Sequence, residues 1–292
     1  MKNEKSQKSY VLLYILSLLL FGSNGVAASH ISLGSHEIVF LRTVLGTLTI
    51  GLLFFLTKHK LTVRQHPRDL LFVALAGAAM AADWLFLFEA YATIGVSLGV
   101  LINYTGPVLV VAFSVLVLRE KISLSKGLAL LAAFLGAVLI SGQTVVSGLS
   151  LRGLACAVLS AVSYAALVLF NKQSRHIVGM ENSLIQIFFC FLTVTAYMAL
   201  RHGLPVPVTR ADLPWILWLG VLNTGIGCYL YFASMNALPV PTVALFGYLE
   251  PLSGVLFSIL FLGERLLPLQ ILGAVLILGG ALWGELSDRK KG

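Results

Sequence analysis

Long apolar runs, each near twenty residues and separated by short polar turns, fill this chain almost from end to end. Ten can be delimited, at residues 10–28, 38–57, 70–90, 97–118, 124–141, 153–170, 182–200, 213–233, 240–261 and 268–284. A helix needs about 20 residues to cross a hydrocarbon layer about 30 Å thick, so each run predicts one spanning helix. The runs are apolar on every face, whereas the strands of a membrane barrel alternate polar and apolar residues. No connection between them is long enough to hold a soluble domain. The first run is expected to stay as a span: it is too long for a signal peptide, nine more follow, and Gly22–Ser23–Asn24–Gly25 stands inside it.

Composition agrees. Of 292 residues 58% are hydrophobic and only 11% charged, with a mean hydropathy of +0.94. A soluble domain carries about 25% charged residues, so a soluble enzyme, a coiled coil, a disordered tail and a secreted disulfide scaffold are all excluded. The basic residues set the direction, because Lys and Arg beside short loops stay in the cytoplasm. With the N-terminus inside, that side holds Lys2, Lys5 and Lys8, the 58–68 and 119–126 clusters, Lys172, Arg175 and Arg289–Lys291, fifteen in all. The other side holds only Arg152, Arg201, Arg210 and Arg265. Both termini are therefore expected in the cytoplasm, and the net charge of +8 marks topology; scattered over five short segments, it makes no nucleic-acid surface. Cys156, Cys190 and Cys228 stand singly in three spans and suggest neither a disulfide nor a metal site.

The chain repeats itself. Residues 83–107 align without a gap on 227–251, an offset of 144 that brings Phe88 onto Phe232, Tyr104 onto Tyr248, Pro107 onto Pro251, Glu120 onto Glu264 and Gly136 onto Gly280. The halves 1–146 and 147–292 each hold five spans, an odd number, so they cross the membrane in opposite directions. The expected fold is an all-α polytopic membrane protein of ten helices, built as two inverted five-helix repeats around a central cavity. That is the architecture of secondary transporters, where two similar bundles exchange inward-open and outward-open shapes around one site. Small residues four apart (Ala74/Ala78/Ala82, Gly95/Gly99, Gly280/Gly284) predict close helix packing. Pro107 and Pro251 predict paired kinks, and Phe21–Gly25 a weak point in span 1.

Apart from Lys126 at the edge of the 124–141 run, four charges fall inside spans: Arg42, Asp83, Glu89 and Glu250. Each costs about 2.5 kcal/mol or more facing lipid, so each is expected to face protein or water. Arg42 and Glu89 lie at similar shallow depth near the external side, with Asp83 two turns deeper. Two readings stand together here: an ion pair of Arg42 with Glu89 or Asp83, and an acid that couples protons or meets a cationic substrate. Glu250, directly before Pro251 and opposite Gly106 in the repeat, is expected in a cavity at mid-membrane. Glu120 and Glu264 follow span ends and are expected to order loops or lock the halves together. Trp84, Asn103, Tyr104, Tyr164, Asn171, Asn223, Tyr229, Asn236 and Tyr248 supply further polar atoms that a hydrated cavity would satisfy, with Tyr104 and Tyr248 as symmetry mates. Tyr91 and Tyr231 fit the interfacial aromatic belt equally well, and Gln186 occupies the repeat position of Arg42. There is no P-loop and no H-E-x-x-H, and all six histidines fall in loops or at span ends. Nothing in the sequence indicates an enzyme, a cofactor or a metal.

The stretches FLRTVLG (40–46), FEAYATIGVSLGVLINYTGPVLVV (88–111), LREKIS (118–123), YLEPLSGVLFSILFLGERL (248–266) and LGAVLILGGALW (272–283) resemble the EamA family of the drug/metabolite transporter superfamily. Phe21–Gly22–Ser23–Asn24 departs from the Trp-Gly-x-Asn of many members. The resemblance covers nearly the whole chain and implies a cavity lined by Asn24, Trp84, Glu89, Asn103, Tyr104, Tyr164, Asn223, Tyr229 and Tyr248, with Glu250 beside them. It implies a bacterial plasma-membrane carrier of small metabolites, often an exporter, without selecting among amino acids, amines, nucleosides and vitamins. An aromatic-lined cavity with few charges favours an amino acid or amine-like solute, expected to move outward by alternating access. Flux is coupled to protons through Glu89, Asp83 or Glu250, or runs as uncoupled exchange. An importer or facilitator of an amine, sugar or vitamin, and a non-transporting scaffold subunit, are the competing readings.

Overall fold

A computed structural model describes residues 2–59, 61–106, 150–201, 203–235 and 249–289, with Phe246 and isolated positions between 109 and 139. Every regular element among them is helical: α1 (Lys2–Gly22), α2 (Asn24–Ser29), α3 (Ser35–Leu56), α4 (Pro67–Ile94), α5 (Val96–Asn103), α6 (Leu151–Gln173), α7 (Gly179–Arg201), α8 (Leu213–Leu217), a π-helix (Trp218–Gly227), α9 (Cys228–Met235), α10 (Leu249–Leu262) and α11 (Pro268–Arg289), plus one 3₁₀ turn at Val63–Gln65. Among the described residues, six stretches are long and apolar enough to cross a membrane: Ser9–Ser29, Ser35–Leu56, Pro67–Ile94, Leu151–Gln173, Gly179–Arg201 and Leu213–Tyr231. Leucines and phenylalanines such as Leu48, Leu52, Phe55, Leu256, Leu260 and Phe261 stand exposed around the outside. A soluble monomer does not tolerate so much bare apolar surface, and a lipid surrounding covers it at no cost.

Local chemistry sets the boundaries. Pro67 opens α4 at a position where the missing N–H has no partner to lose. Ser150 caps α6 by accepting from the Gly153 N–H at 3.3 Å. Between α4 and α5 the chain turns at Gly95 with φ of +88°, a backbone region in which a side chain is strained. The carboxylate of Glu264 fills the turn: Oε1 accepts from Val96 N–H at 2.7 Å and Oε2 from Ser97 N–H at 2.8 Å. Two of the orphan donors of α5 are thereby satisfied by a residue 168 positions away. The lock expected of Glu264 is present; Glu120, its counterpart, lies outside the described residues.

The helices run both ways through the bundle. Along α3 and α7, Phe40 stacks on Phe191, Thr47 donates to the Ile187 carbonyl and Gly51 approaches Leu184, so the two are antiparallel. α4 and α6 are also antiparallel, with Asp83 on Ser160 and Thr93 on Gly153. α3 runs parallel to the π-helix, Leu45 meeting Gly220 and Thr49 meeting Gly225. Buried carboxylates tie the two ends. At one end Asp212 accepts from the Ser32 N–H at 2.8 Å and from its hydroxyl; at the other Asp69 accepts from the Arg175 and His176 N–H groups at 2.9 and 2.7 Å, and Glu181 from Thr62.

Candidate functional site

The six residues of α4 that matter most recur at helical spacing: Met80, Asp83, Trp84, Leu87, Phe88 and Tyr91 share one face. That face looks into a cavity of about 180 Å³. Facing it are Phe21, Gly22 and Asn24 from the break between α1 and α2, Arg42 from α3, and Val100, Asn103 and Tyr104 from the α5 region. Tyr164 and Leu167 of α6 and Glu250 and Gly254 of α10 complete the wall. At 1.5 Å per residue, Arg42, Asp83, Glu250 and Tyr164 lie about 10–20 Å from the Ser32 end of their helices, which is mid-depth in a layer about 30 Å thick. The volume is below the roughly 300–1,000 Å³ of sites for drug-sized ligands and suits a small metabolite.

Close approach makes the wall. Gly22 faces Ser253 and Gly254 so tightly that an added Cβ would sit 2.0 Å from the Ser253 hydroxyl. The chain turns at Ser23, whose hydroxyl donates to the Leu20 carbonyl at 2.6 Å and accepts from Trp218 Nε1 at 2.9 Å. Asn24, just beyond, accepts at Oδ1 from Asn223 Nδ2 at 3.0 Å.

Three charged side chains give the cavity its chemistry. Asp83 Oδ1 accepts from the Ser160 hydroxyl at 2.5 Å and from Asn103 Nδ2 at 3.1 Å, a cluster drawn from α4, α5 and α6. The Glu250 and Tyr104 side chains line the same cavity. Arg42 is 3% exposed, lies over the Trp84 ring at 3.8 Å and donates through Nε and an Nη to Thr224 Oγ1. Cationic and anionic side chains thus line one small volume.

Of the residues expected in the site, Asn24, Arg42, Asp83, Trp84, Asn103, Tyr104, Tyr164 and Glu250 line this cavity together. Asn223 stands behind it, fully buried and supporting Asn24, with its Oδ1 unpartnered among the described residues. Tyr229 packs against the apolar core at the back of α3 and α7. Tyr248 lies outside the described residues, as do Asn236 and Pro107. Glu89 is elsewhere. It sits six residues from Asp83, about 240° around α4, so it shares a different face with Ala82, Leu85, Phe86 and Ala92. There it pairs with Arg152 at 2.9 Å and accepts from Ser35 at 2.5 Å, lining a larger, mostly apolar hollow of about 730 Å³ near the Ser32 end. The expected Arg42–Glu89 pair is therefore corrected: equal depth does not bring the two faces together. An Arg42–Asp83 pair within 4.0 Å is likewise not formed among the described residues.

Some lining residues were not singled out from the sequence. Tyr91 was equally a belt residue; its place in the Met80–Tyr91 periodicity is the signal that puts it on the cavity face. Met80, Leu87, Val100, Leu167 and Gly254 are apolar and offered no such signal.

A multi-pass helical protein with a polar cavity at mid-depth belongs to the class of membrane transporters. The profile of the EamA-like transporter family matches residues 8–142 and again 151–283, and the chain belongs to that family. It is 26% identical over 281 residues to the uncharacterized transporter YxxF of Bacillus subtilis, covering 95% of this chain and 90% of that one. It is also 26% identical over 284 residues to the threonine/homoserine exporter RhtA of Escherichia coli, covering 96% and 92%. A protein of known crystal structure shares the fold at 18% identity with a TM-score of 0.67, over 97% of this chain and 99% of that one.

Proposed function

We propose that this protein is a secondary transporter of the bacterial plasma membrane that exports a small amino acid or amine-like solute by alternating access. The observation that carries the reading is the cavity itself: a volume of about 180 Å³ at mid-span, walled by Asp83 and Glu250 on one side of its chemistry and Arg42 on the other. Buried charges of both signs are expensive in a membrane unless they meet something that carries the complementary charges. A zwitterion does. Asn24, Trp84, Asn103, Tyr104 and Tyr164 add hydrogen-bonding and aromatic surface around it. The similarity to RhtA, an exporter of threonine and homoserine, supports both the substrate class and the direction.

In this reading the two halves, 1–146 and 147–292, are inverted repeats of five spans with both termini in the cytoplasm. Three features support the inversion. α3 and α7 have bounds 144 residues apart to within one residue, and they pack antiparallel. The Asp212–Ser32 tie at one end has its counterpart in the Asp69–His176 tie at the other, matching to within one position at the same offset. Rocking of the halves would then open the cavity to each side in turn. Asp83 and Glu250 are the groups placed to exchange a proton for the solute, and Glu89, already paired with Arg152, holds α4 to α6.

The test is counterflow in liposomes, with threonine, homoserine, other small amino acids and simple amines as the panel. Saturable exchange of any of these by the wild type, lost with Glu250→Gln or Asp83→Asn, supports the reading. Folded protein that moves none of them removes the amino-acid and amine reading; silence across a panel widened to sugars and vitamins would favour a scaffold role.

A further inference from the structure

Among the described residues, Arg42 has no carboxylate within ion-pair distance. Its guanidinium is buried within the bundle and lines the cavity. A guanidinium carries five N–H donors. One on Nε, at 3.2 Å, and one on Nη2, at 3.1 Å, go to a single acceptor, the Thr224 hydroxyl. That leaves three donors, two of them on the other terminal nitrogen. No carboxylate oxygen lies within 4.0 Å of it among the described residues, because Asp83 is engaged by Ser160 and Asn103.

The group is nonetheless held rigidly. Its Cζ lies 3.8 Å from the ring centroid of Trp84 and 5.0 Å from that of Phe88, contacts that favour a flat, weakly hydrated cation. Thr224 is itself oriented by the wide turn of the π-helix: its hydroxyl donates to the Leu219 carbonyl, five residues back, at 2.7 Å. With its proton committed there, the oxygen presents lone pairs to Arg42. Such π turns are rare and gather at functional positions. Gly220 and Gly225 let this turn press against Leu45 and Thr49 of α3, which sets the Arg42–Thr224 contact.

A charge positioned this carefully, with no carboxylate within 4.0 Å among the described residues, is a binding group in wait of its partner. We propose that Arg42 is the anion-recognition group of the cavity, that it takes the carboxylate of the transported solute through its free donor fork, and that Thr224 is its positioning residue. This rests on the transport reading above and narrows it: the solute must carry a carboxylate, and an amine alone is a poor substrate.

Binding to purified protein in detergent, followed as thermal stabilisation, tests this with matched pairs: alanine, serine, threonine and leucine, their carboxamides, and the amines that lack the carboxyl group. The wild type is expected to prefer each free acid over its carboxamide by roughly 30-fold or more, the effect of truncating one partner of a buried charge pair. Arg42→Gln should abolish that preference. Arg42→Lys, which keeps the charge and loses the fork, should retain it at reduced affinity. Thr224→Val, which leaves the guanidinium in place but unanchored, should lower acid binding and leave amine binding unchanged, a split that general destabilisation would not produce. Carboxamides or amines that bind the wild type as well as the free acids overturn the assignment and leave the carrier standing. An acid preference that survives in Arg42→Gln overturns it equally.

Discussion

Gly77 and Gly51 offer the same substitution in two settings. On Gly77, in α4, an added Cβ would lie 2.5 Å from the Gln186 carbonyl, 2.8 Å from Phe189 Cβ and 3.1 Å from the Cys190 nitrogen. All three atoms belong to the backbone or Cβ positions of α7, so no rotamer can relieve the clash. Moving the first from 2.5 Å to ordinary contact at about 3.4 Å requires α7 to retreat by about 0.9 Å. Overpacking of this kind costs about 1–3 kcal/mol. Against it stands a gain of about 0.5–1 kcal/mol from replacing a helical glycine by alanine. At Gly51 the nearest atom is Leu184 Cδ1 at 3.9 Å, so only the gain remains. Gly77→Ala should therefore lose about 0.5–2 kcal/mol and Gly51→Ala gain about 0.5–1 kcal/mol, read as opposite shifts of the thermal midpoint in detergent. Gly77→Ala should also slow transport, because Gln186 Nε2 donates to Met80 Sδ at 3.1 Å and Met80 lines the cavity. Two variants of equal stability would refute the close α4–α7 contact on which the cavity wall is built.

Removing the Glu264 carboxylate with Glu264→Ala strands the Val96 and Ser97 N–H groups and should cost about 2 kcal/mol, with Glu264→Gln between it and the wild type in thermal unfolding. Asp212 titrates at about 2, held down first by the N–H of Ser32 and then by the Thr209 hydroxyl. A depressed carboxyl stabilises the fold above its unfolded value near 3.9 and loses that contribution as pH falls toward about 2. The stability gap between wild type and Asp212→Asn should accordingly be constant above about pH 5 and close below about pH 4 in acid-unfolding curves. Of Asp83→Asn and Glu250→Gln, at least one should abolish the pH dependence of flux in liposomes; retention by both would show that neither carries the coupling proton.

The architecture was legible to the degree that it depends on hydropathy and repetition. The run at 38–57 became α3 (Ser35–Leu56) and that at 182–200 became α7 (Gly179–Arg201), because burial and helix length are properties of local composition. Six of the expected cavity residues converge, with Arg42 and Asp83 of the expected coupling or ion-pair group beside them, for a related reason: an isolated polar group in an apolar span has few other places to go. What escaped notice depends on rotation about a helix axis and on packing. Glu89 was grouped with Arg42 by depth, although the Met80–Tyr91 periodicity already puts it on another face of α4. The partner of Arg42 was sought among acids, yet it proved to be the Thr224 hydroxyl and the Trp84 ring, brought near by a π turn. That turn depends on Gly220 and Gly225 meeting Leu45 and Thr49 more than 170 residues away, and no local propensity encodes it.

Alternating access at this cavity can be measured directly with a single cysteine at Leu87, on the lining face of α4, in protein whose Cys156, Cys190 and Cys228 are replaced by alanine. A membrane-impermeant thiol reagent applied from one side or the other of sealed vesicles should label Leu87→Cys from both, with threonine or another transported solute protecting it. Labelling confined to one side under every condition, or none from either, would contradict a central site that opens to each face in turn.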